Sequence, residues 1–443
     1  MVETSSIDSQ DSTRQYRNGR RRPLIVFFDY PDVFEDFYPH YGVSQQDFAT
    51  QWHNTANHAW LKIIQNDIGD VTWLVTAIAP ELEEATHSFT KCGTRFLKSS
   101  WLHRQLWRLF YLPSFSWRWR RFYRPYAVVA SYIAPLSWPL WRALKRLKPD
   151  ILFVQDYCSG RFDILMLYAR LLGIPIVTFH SGSTPDKYLG KITKYFTIRR
   201  ADLIFPSGMK EVGNLRDKYK VPTSKQVIIR PPVDVRIYRP MNKSDARAAC
   251  GLNTGKKYLI FIGRLDDSVK RLSTIIDLFG GLAGEHELFD LLIVGSGNDE
   301  TALRHQASQT IPGRIHFRGW IGSDREKALI LNASECLLLA SWREASPAVI
   351  GEAFACGVPV ISSAVGGIED IVVPDKTGWL FQAGDDMALR KRMARAMVEP
   401  EKISEMGRNA RLVAEEKLSI EAVTRSVHLG FLAVLNKTKS DAV

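Results

Sequence analysis

Short apolar runs alternate with amphipathic stretches of about ten to fifteen residues along this chain, and the alternation runs through twice. The first series predicts strands over 24–28, 71–78, 150–154, 174–179, 202–206 and 227–230, with helices over 48–64, 140–147, 163–172 and 209–218. Pro231-Pro232 and Arg239-Pro240 interrupt it and mark a hinge region. The second series predicts strands over 258–262, 290–294, 315–318, 335–339 and 358–361, with helices over 272–282, 299–308, 325–333 and 347–356. Parallel strands cannot be joined by a tight turn, so a helix between successive strands implies a parallel sheet covered on both faces. The fold class is therefore α/β, with two doubly wound, Rossmann-like domains of roughly 200 residues each. They are assigned to 23–235 and 236–415, with a floppy basic tail over 1–22. A C-terminal helix and tail over 416–443 can pack back on the first domain. Ligands of such sheets bind at the carboxyl ends of the strands, so a cleft between the domains is the expected site.

Composition narrows the setting. Hydrophobic residues make up 45% of the 443 positions, as in an ordinary chain with a real core. Cys92, Cys158, Cys250, Cys336 and Cys356 are scattered and form no Cys-x-x-Cys. That argues against a disulfide framework and a zinc site, and for a reducing compartment. Residues 1–22 are polar, end in Arg-Asn-Gly-Arg-Arg-Arg and lack the apolar core of a secretion signal, so a cytoplasmic location is expected.

Residues 341–369 carry the richest chemistry. Ser346 reads as a helix N-cap and Pro347 as the first helical residue, where its missing N–H costs nothing. Gly357 and Pro359 end the helix. Glu344 then lies on the loop before the helix and Glu352 in its second turn. A carboxylate accepts paired hydrogen bonds from a vicinal diol, so one could hold a sugar and the other a ribose. The positive end of the helix between them suits a diphosphate. A surface carboxylate beside a capped amphipathic helix is the other reading of the same residues.

The strand at 258–262 delivers Gly263-Arg264-Leu265-Asp266-Asp267-Ser268-Val269-Lys270. Gly263 permits close backbone approach, and Arg264 and Lys270 can converge on one anionic group, although a solvated loop would look similar. Gly295-Ser296-Gly297 follows the next strand as a fragment of a dinucleotide fingerprint without its full spacing. The backbone at Arg318, on a strand exit, could read a base edge. His180 closes the strand at 174–179, where a histidine serves either structure or catalysis.

Taken in order, these stretches resemble the retaining family-4 glycosyltransferases, which have the GT-B fold. The resemblance covers about residues 148–415. It runs through Lys148-Pro149-Asp150-Ile151 to His180, Ala201-Asp202-Leu203-Ile204-Phe205-Pro206-Ser207, and Pro232-Val233-Asp234 to Tyr238-Arg239-Pro240. Gly263-Arg264-Leu265, Val294-Gly295-Ser296-Gly297 and the Glu-x7-Glu segment complete it. The resemblance implies a nucleoside-diphosphate sugar as donor substrate and a glycan or lipid-linked acceptor, with no cofactor. Arg264 and Lys270 would neutralise the leaving diphosphate and Glu344 would bind the transferred sugar. Backbone N–H groups around Ser346, Pro347, Ala348 and Val349 would contact sugar or phosphate, and Glu352 would hold the ribose. Gly263, Gly295 and Arg318 complete the donor-binding set, and His180 would face the reacting sugar. The implied chemistry is a same-face displacement with retention at the anomeric carbon. Relatives generally work without a metal, and no Asp-x-Asp occurs in the chain, so no metal is expected.

Some features depart from the family pattern. The loop after the first strand reads Asp29-Tyr30-Pro31-Asp32 in place of a Gly-Gly, and Gly42 is the nearby glycine. Gly42 and Asp156 are the acceptor-side candidates. Arg271 replaces a common glycine after Lys270, and Ala-Ser-Pro follows Glu344 where Gly-Phe-Gly is commoner. A nucleotide-sugar epimerase of similar fold and a non-catalytic nucleotide-sugar-binding partner of another transferase are the alternatives. Incubation with the nucleotide sugar alone separates the epimerase.

The formal charge of +12 is concentrated: Arg95 to Lys148 holds twelve Lys or Arg and no acid. Six of the twelve tryptophans lie in the same stretch, densest at Trp117-Arg118-Trp119-Arg120-Arg121. Such residues suit the headgroup layer of an anionic membrane, to which these five are assigned as contacts. Seventeen uncharged residues between Arg124 and Arg142, broken by three prolines, are too few to span, so surface attachment is expected. First-domain helices with Trp inward and Arg outward would give the same pattern. Nucleic-acid binding is disfavoured because no fold of that kind is visible.

Overall fold

The computed structural model describes residues 16–17, 20–29, 32–52, 56–110, 123–180 and 190–440. The five residues Trp117, Arg118, Trp119, Arg120 and Arg121 therefore lie outside the described residues, as do most of the tail over 1–22 and the pair Tyr30 and Pro31. The chain forms two compact units. One takes Met1–Pro206, Val212–Ile228 and Thr424–Val443, and the other takes Ser207–Glu211 and Ile229–Val423.

In the first unit β1 (Tyr16–Arg17) and β2 (Arg20–Arg21) form a small antiparallel pair. The main sheet holds β3 (Leu24–Phe28), β4 (Asp70–Ala77), β5 (Glu84–Thr86), β6 (Gly93–Lys98), β7 (Ile151–Gln155), β8 (Ile176–Phe179) and β9 (Leu203–Phe205). Their order is β5-β6-β4-β3-β7-β8-β9, all parallel except β5 against β6. Every residue of β3 is buried, as a central parallel strand covered on both faces requires. The expected strand at 227–230 does not form, and only a bridge pairs Ile204 with Gln226 there.

The chain steps in one direction across this sheet from β6 to β7, β8 and β9. Right-handed crossovers place the intervening helices Trp101–Phe110, Tyr123–Ile133, Trp138–Leu147, Gly160–Leu172 and Gly190–Thr197 on one face. Leu140, Leu144, Phe162, Leu165 and Met166 pack inward on Leu152 and Val154. The step from β3 to β4 runs the other way, so the helix Ala56–Asp67 covers the opposite face, with Trp60 edge-on to Phe179 at 4.8 Å. The helix Ile420–Ser440 joins that face through Phe431, whose ring lies 5.5 Å from Phe153 and 6.0 Å from Phe205.

The second unit holds β10 (Lys257–Ile262), β11 (Phe289–Val294), β12 (Ile315–Phe317), β13 (Cys336–Leu339), β14 (Val360–Ser363) and β15 (Gly378–Phe381). Their order is β12-β11-β10-β13-β14-β15, all parallel. The strands after β10 lead one way and those after β13 the other. No described helix in either unit is long and apolar enough to cross a membrane.

Candidate functional site

The reversal between β10 and β13 is a switch point, where loops leaving neighbouring strands diverge and open a crevice over the strand ends. The two loops at this place are those that carry Arg264, Lys270 and Glu344. Beyond β10 comes a one-turn helix, Asp267–Lys270. Asp267 fixes it from both sides. Its N–H donates to Asp299 Oδ2 at 2.7 Å, and its carboxylate accepts from Ser273 N and Oγ at 2.8 and 2.7 Å. The Val269 carbonyl then accepts the Trp342 N–H at 2.9 Å, which ties this helix to the loop beyond β13.

That tie brings Lys270 Nζ within 2.5 Å of Glu344 Oε1. Ser341 Oγ donates to the same oxygen at 2.7 Å, and Ser363 Oγ donates to the Ser341 carbonyl at 2.6 Å. The two charged side chains retain only 17% and 11% of their exposure, so each is the other's main compensation. Arg264, on the same strand exit, is freer: its side chain is 50% exposed and lies 3.7 Å from Asp266.

Two glycines let the backbones come this close. Gly295 has φ +139, and a Cβ there would lie 1.8 Å from the Gly263 carbonyl oxygen. Gly366 has φ +59, and its Cβ would lie 1.8 Å from the Glu344 carbonyl oxygen. The neighbouring Gly367 N–H donates to the Ala345 carbonyl at 2.7 Å.

That pinning explains a correction at the helix start. The helix is Ala348–Ala355, with Pro347 as its N-cap in an extended conformation (φ −68, ψ 120). Ser346 caps nothing, because the carbonyl before it is held away by Gly367. Its Oγ is buried without a hydrogen-bond partner. Ala348 and Val349 fall in the first turn, where N–H groups have no acceptor within the helix.

Glu352 has a different partner. Lys327 Nζ reaches it at 3.0 Å and Asp324 at 3.1 Å, and the Tyr238 hydroxyl donates to Asp324 at 2.8 Å. Burial works against the Lys327 charge, but Glu352 and Asp324 outweigh it and raise the ammonium pKa. Burial, then Glu352 and Asp324, push the Tyr238 phenol well up, so it stays a donor.

Arg318 follows directly on β12. Its backbone N–H is spent on the Ile293 carbonyl at 2.9 Å, and its guanidinium donates to the Cys250 carbonyl at 2.9 Å. The side chain lines a cavity of about 600 Å³ with Asn253, Tyr258 and His316. Arg271 takes the left-handed conformation (φ 56) that favours glycine. Its guanidinium lies 4.5 Å over the Trp342 ring and bonds to Asp386.

In the first unit Asp156 and His180 stand at the ends of the paired strands β7 and β8. The Asp156 N–H donates to the Phe179 carbonyl at 3.0 Å, and the His180 N–H to the Phe205 carbonyl at 3.1 Å. The His180 ring stacks on Tyr157 at 5.4 Å. Asp156 is buried and its carboxylate accepts the Cys158 N–H at 2.9 Å, so it holds its own turn. Gly42 ends the 3-10 turn Tyr38–Tyr41 with φ 70. Sequence reasoning missed Ser341, Lys327 and the ion pair of buried Arg161 with Asp32 at 3.3 Å. Burial raises the Asp32 carboxyl pKa against the pull of Arg161.

The family described as "Glycosyl transferases group 1" matches residues 242–413, and "Glycosyltransferase Family 4" matches residues 70–236. This chain belongs to glycosyltransferase family 4. It is 28% identical over 320 residues to N-acetyl-alpha-D-glucosaminyl L-malate synthase of Bacillus anthracis, covering 70% of this chain and 82% of that one. It is 29% identical over 206 residues to D-inositol 3-phosphate glycosyltransferase of Mycobacteroides abscessus, spanning 46% of each chain, so under half of that relative's length. Among solved structures, the Anabaena HepE protein with UDP aligns over 93% of this chain and 100% of its own, with a TM-score of 0.67 and 14% identity. Sucrose-phosphate synthase from Thermosynechococcus elongatus covers 94% and 100%, with a TM-score of 0.68 and 17% identity. The fold of this family-4 glycosyltransferase is GT-B, built from the two doubly wound units described above.

Proposed function

We propose that this glycosyltransferase takes a sugar from a nucleoside-diphosphate donor bound to its second unit and passes it to a glycan or lipid-linked acceptor. Transfer proceeds with retention at the anomeric carbon and without a metal ion. The carrying observation is the Lys270–Glu344 pair at 2.5 Å, next to a loop whose Ser346 hydroxyl is buried and unpartnered. In this reading Glu344 and Ser346 bind hydroxyls of the sugar, and Glu352 binds the ribose. Lys270, Arg264 and the first-turn N–H groups of Ala348 and Val349 take up the charge of the departing diphosphate. The bond from the anomeric carbon to the diphosphate oxygen breaks as the acceptor oxygen bonds to the same face. The acceptor proton passes to the departing phosphate oxygen. The acceptor is assigned to the first unit, on the strand ends that carry His180.

The Anabaena protein was solved with UDP-glucose, which makes UDP-sugars the first donors to try. The five cysteines are free thiols, which favours the cytoplasm, and the reading places the enzyme peripherally on a membrane there.

The test incubates the full chain with a panel of nucleotide sugars and acceptors, including L-malate and D-inositol 3-phosphate, with a chelator present, and reads products by mass spectrometry and NMR. One donor gives a product of unchanged anomeric configuration, at a rate the chelator does not alter. Lys270→Ala lowers kcat/KM by at least about 100-fold. Conversion of a nucleotide sugar with no acceptor present would establish the epimerase instead. Wild-type turnover by Lys270→Ala, or loss of turnover on chelation, would overturn the phosphate assignment or the metal independence respectively.

A further inference from the structure

The helical layer on one face of the first unit has an unusual outer surface. A helix that covers a sheet normally turns its polar side to water. Here Trp101 is 67% exposed, Trp138 62%, Leu171 66%, Ile192 72% and Phe196 50%. Of the 22 large apolar side chains exposed among the described residues, eleven fall between Trp101 and Phe196, so the surface is concentrated there.

The exposed charged residues of the layer carry one sign, although Arg170 has the half-buried Asp202 beside it at 3.7 Å. Arg108, Arg142, Lys145, Arg146, Arg170, Arg199 and Arg200 are all exposed. The five helices contain one acid, Asp163, which is buried and paired with Lys194 at 2.7 Å. Three cations lie over exposed rings of the same layer: Arg142 over Trp138 at 5.1 Å, Arg199 over Tyr195 at 5.5 Å, and Arg200 over Phe196 at 5.9 Å. The layer is also preformed. The Tyr132 hydroxyl bonds to Asp163 at 2.9 Å and to Thr193 at 3.0 Å, and the Trp141 ring meets Tyr168 at 5.2 Å.

We propose that this outer surface docks on an anionic lipid bilayer. Aromatic and aliphatic side chains enter the boundary between headgroups and acyl chains, while guanidinium groups beside them meet lipid phosphates. A nucleic acid would use the cations but would leave the leucine and isoleucine without a partner. The face reaches well beyond residues 95–148, into Gly160–Leu172 and Gly190–Thr197. It deepens the membrane part of the proposed function and places the enzyme where a lipid-linked acceptor is presented.

The test is co-sedimentation of the full chain with vesicles of phosphatidylcholine alone and of phosphatidylcholine with an equal part of phosphatidylglycerol. The chain binds the anionic vesicles, and salt weakens the binding. Arg170/Arg199/Arg200→Glu weakens it roughly 100-fold, and Ile192→Ser with Phe196→Ser weakens it as well, while nucleotide binding stays at the wild-type level in both. Several outcomes overturn the proposal: no binding to anionic vesicles, equal binding to neutral ones, or a dimer that dissociates on Ile192→Ser with Phe196→Ser. So does binding that only Arg118/Arg120/Arg121→Glu reduces, because the contact would then lie in a different segment. Sugar transfer to a water-soluble acceptor is measured in parallel. Vesicle binding without transfer sinks the catalytic reading alone, and transfer without vesicle binding sinks the docking face alone.

Discussion

Ser346 has a buried hydroxyl oxygen with no hydrogen-bond partner, and a group left that way costs about 1–3 kcal/mol. Such a cost is sustained where a ligand supplies the missing partner. Ser346→Ala therefore melts no lower than the wild type, yet binds the donor sugar about tenfold more weakly, roughly one lost hydrogen bond. Differential scanning and titration with the donor measure the two effects separately, and a lowered melting point with unchanged affinity would make Ser346 structural. The residue was visible in sequence, but its role was misread as a cap. The Gly367 amide displaces the helix start by one residue, a contact across 22 positions that local propensity cannot register. The Lys270–Glu344 pairing was equally hidden, since it depends on β10 lying beside β13. Only the chemistry of each partner was legible, as a cation and a carboxylate on separate strand exits.

Among the elements, strands buried on both faces were read well, because Tyr258 to Ile262 or Leu291 to Val294 form unbroken apolar runs. β5 was missed: its three residues, Glu84 to Thr86, alternate exposed and half-buried and leave no hydrophobic signal. β6 was missed for another reason, lying partly inside the basic segment that opens at Arg95. Among its described residues that segment is most of one strand and three helices, which fits the reading of first-domain helices offered beside the membrane one; of these only the helix at 140–147 was placed from the sequence. The helix Trp101–Phe110 shows how it is anchored. Trp101 points out, while His103 is fully buried with Nδ1 3.3 Å from Ser99 Oγ. Burial, and then Arg104, push the His103 imidazole down to about 4 from an ordinary 6.5. The native ring is then neutral over a range where the unfolded chain takes up a proton, so stability falls as pH drops from about 6.5 towards about 4. Urea midpoints at neutral and mildly acid pH show that slope, and His103→Gln makes it shallower.

At the scale of the whole molecule, each unit has its own core, and the last helix belongs to the first unit from Thr424 onward, although the 195 residues of Ile229–Val423 precede that point. Phe431 is fully buried there against Phe153 and Phe205. Phe431→Ala removes about 3–5 kcal/mol from the first unit. Calorimetry is expected to show that loss in one transition while a saturating nucleoside diphosphate still raises the other. A single transition that moves with both perturbations would mean that the units unfold together.

Residues 207–211, which lead into and open the helix Met209–Tyr219, belong to the second unit, although the chain on both sides of them belongs to the first. Asp370 holds them, accepting from the Met209 N–H at 2.7 Å and from Arg230 at 2.9 Å. Residues 229–423, expressed by themselves, would leave Asp370 without the helix start whose Met209 N–H it accepts. Dissecting this enzyme for domain swaps thus calls for four breakpoints, and a chimera joined at one linker inherits a torn seam.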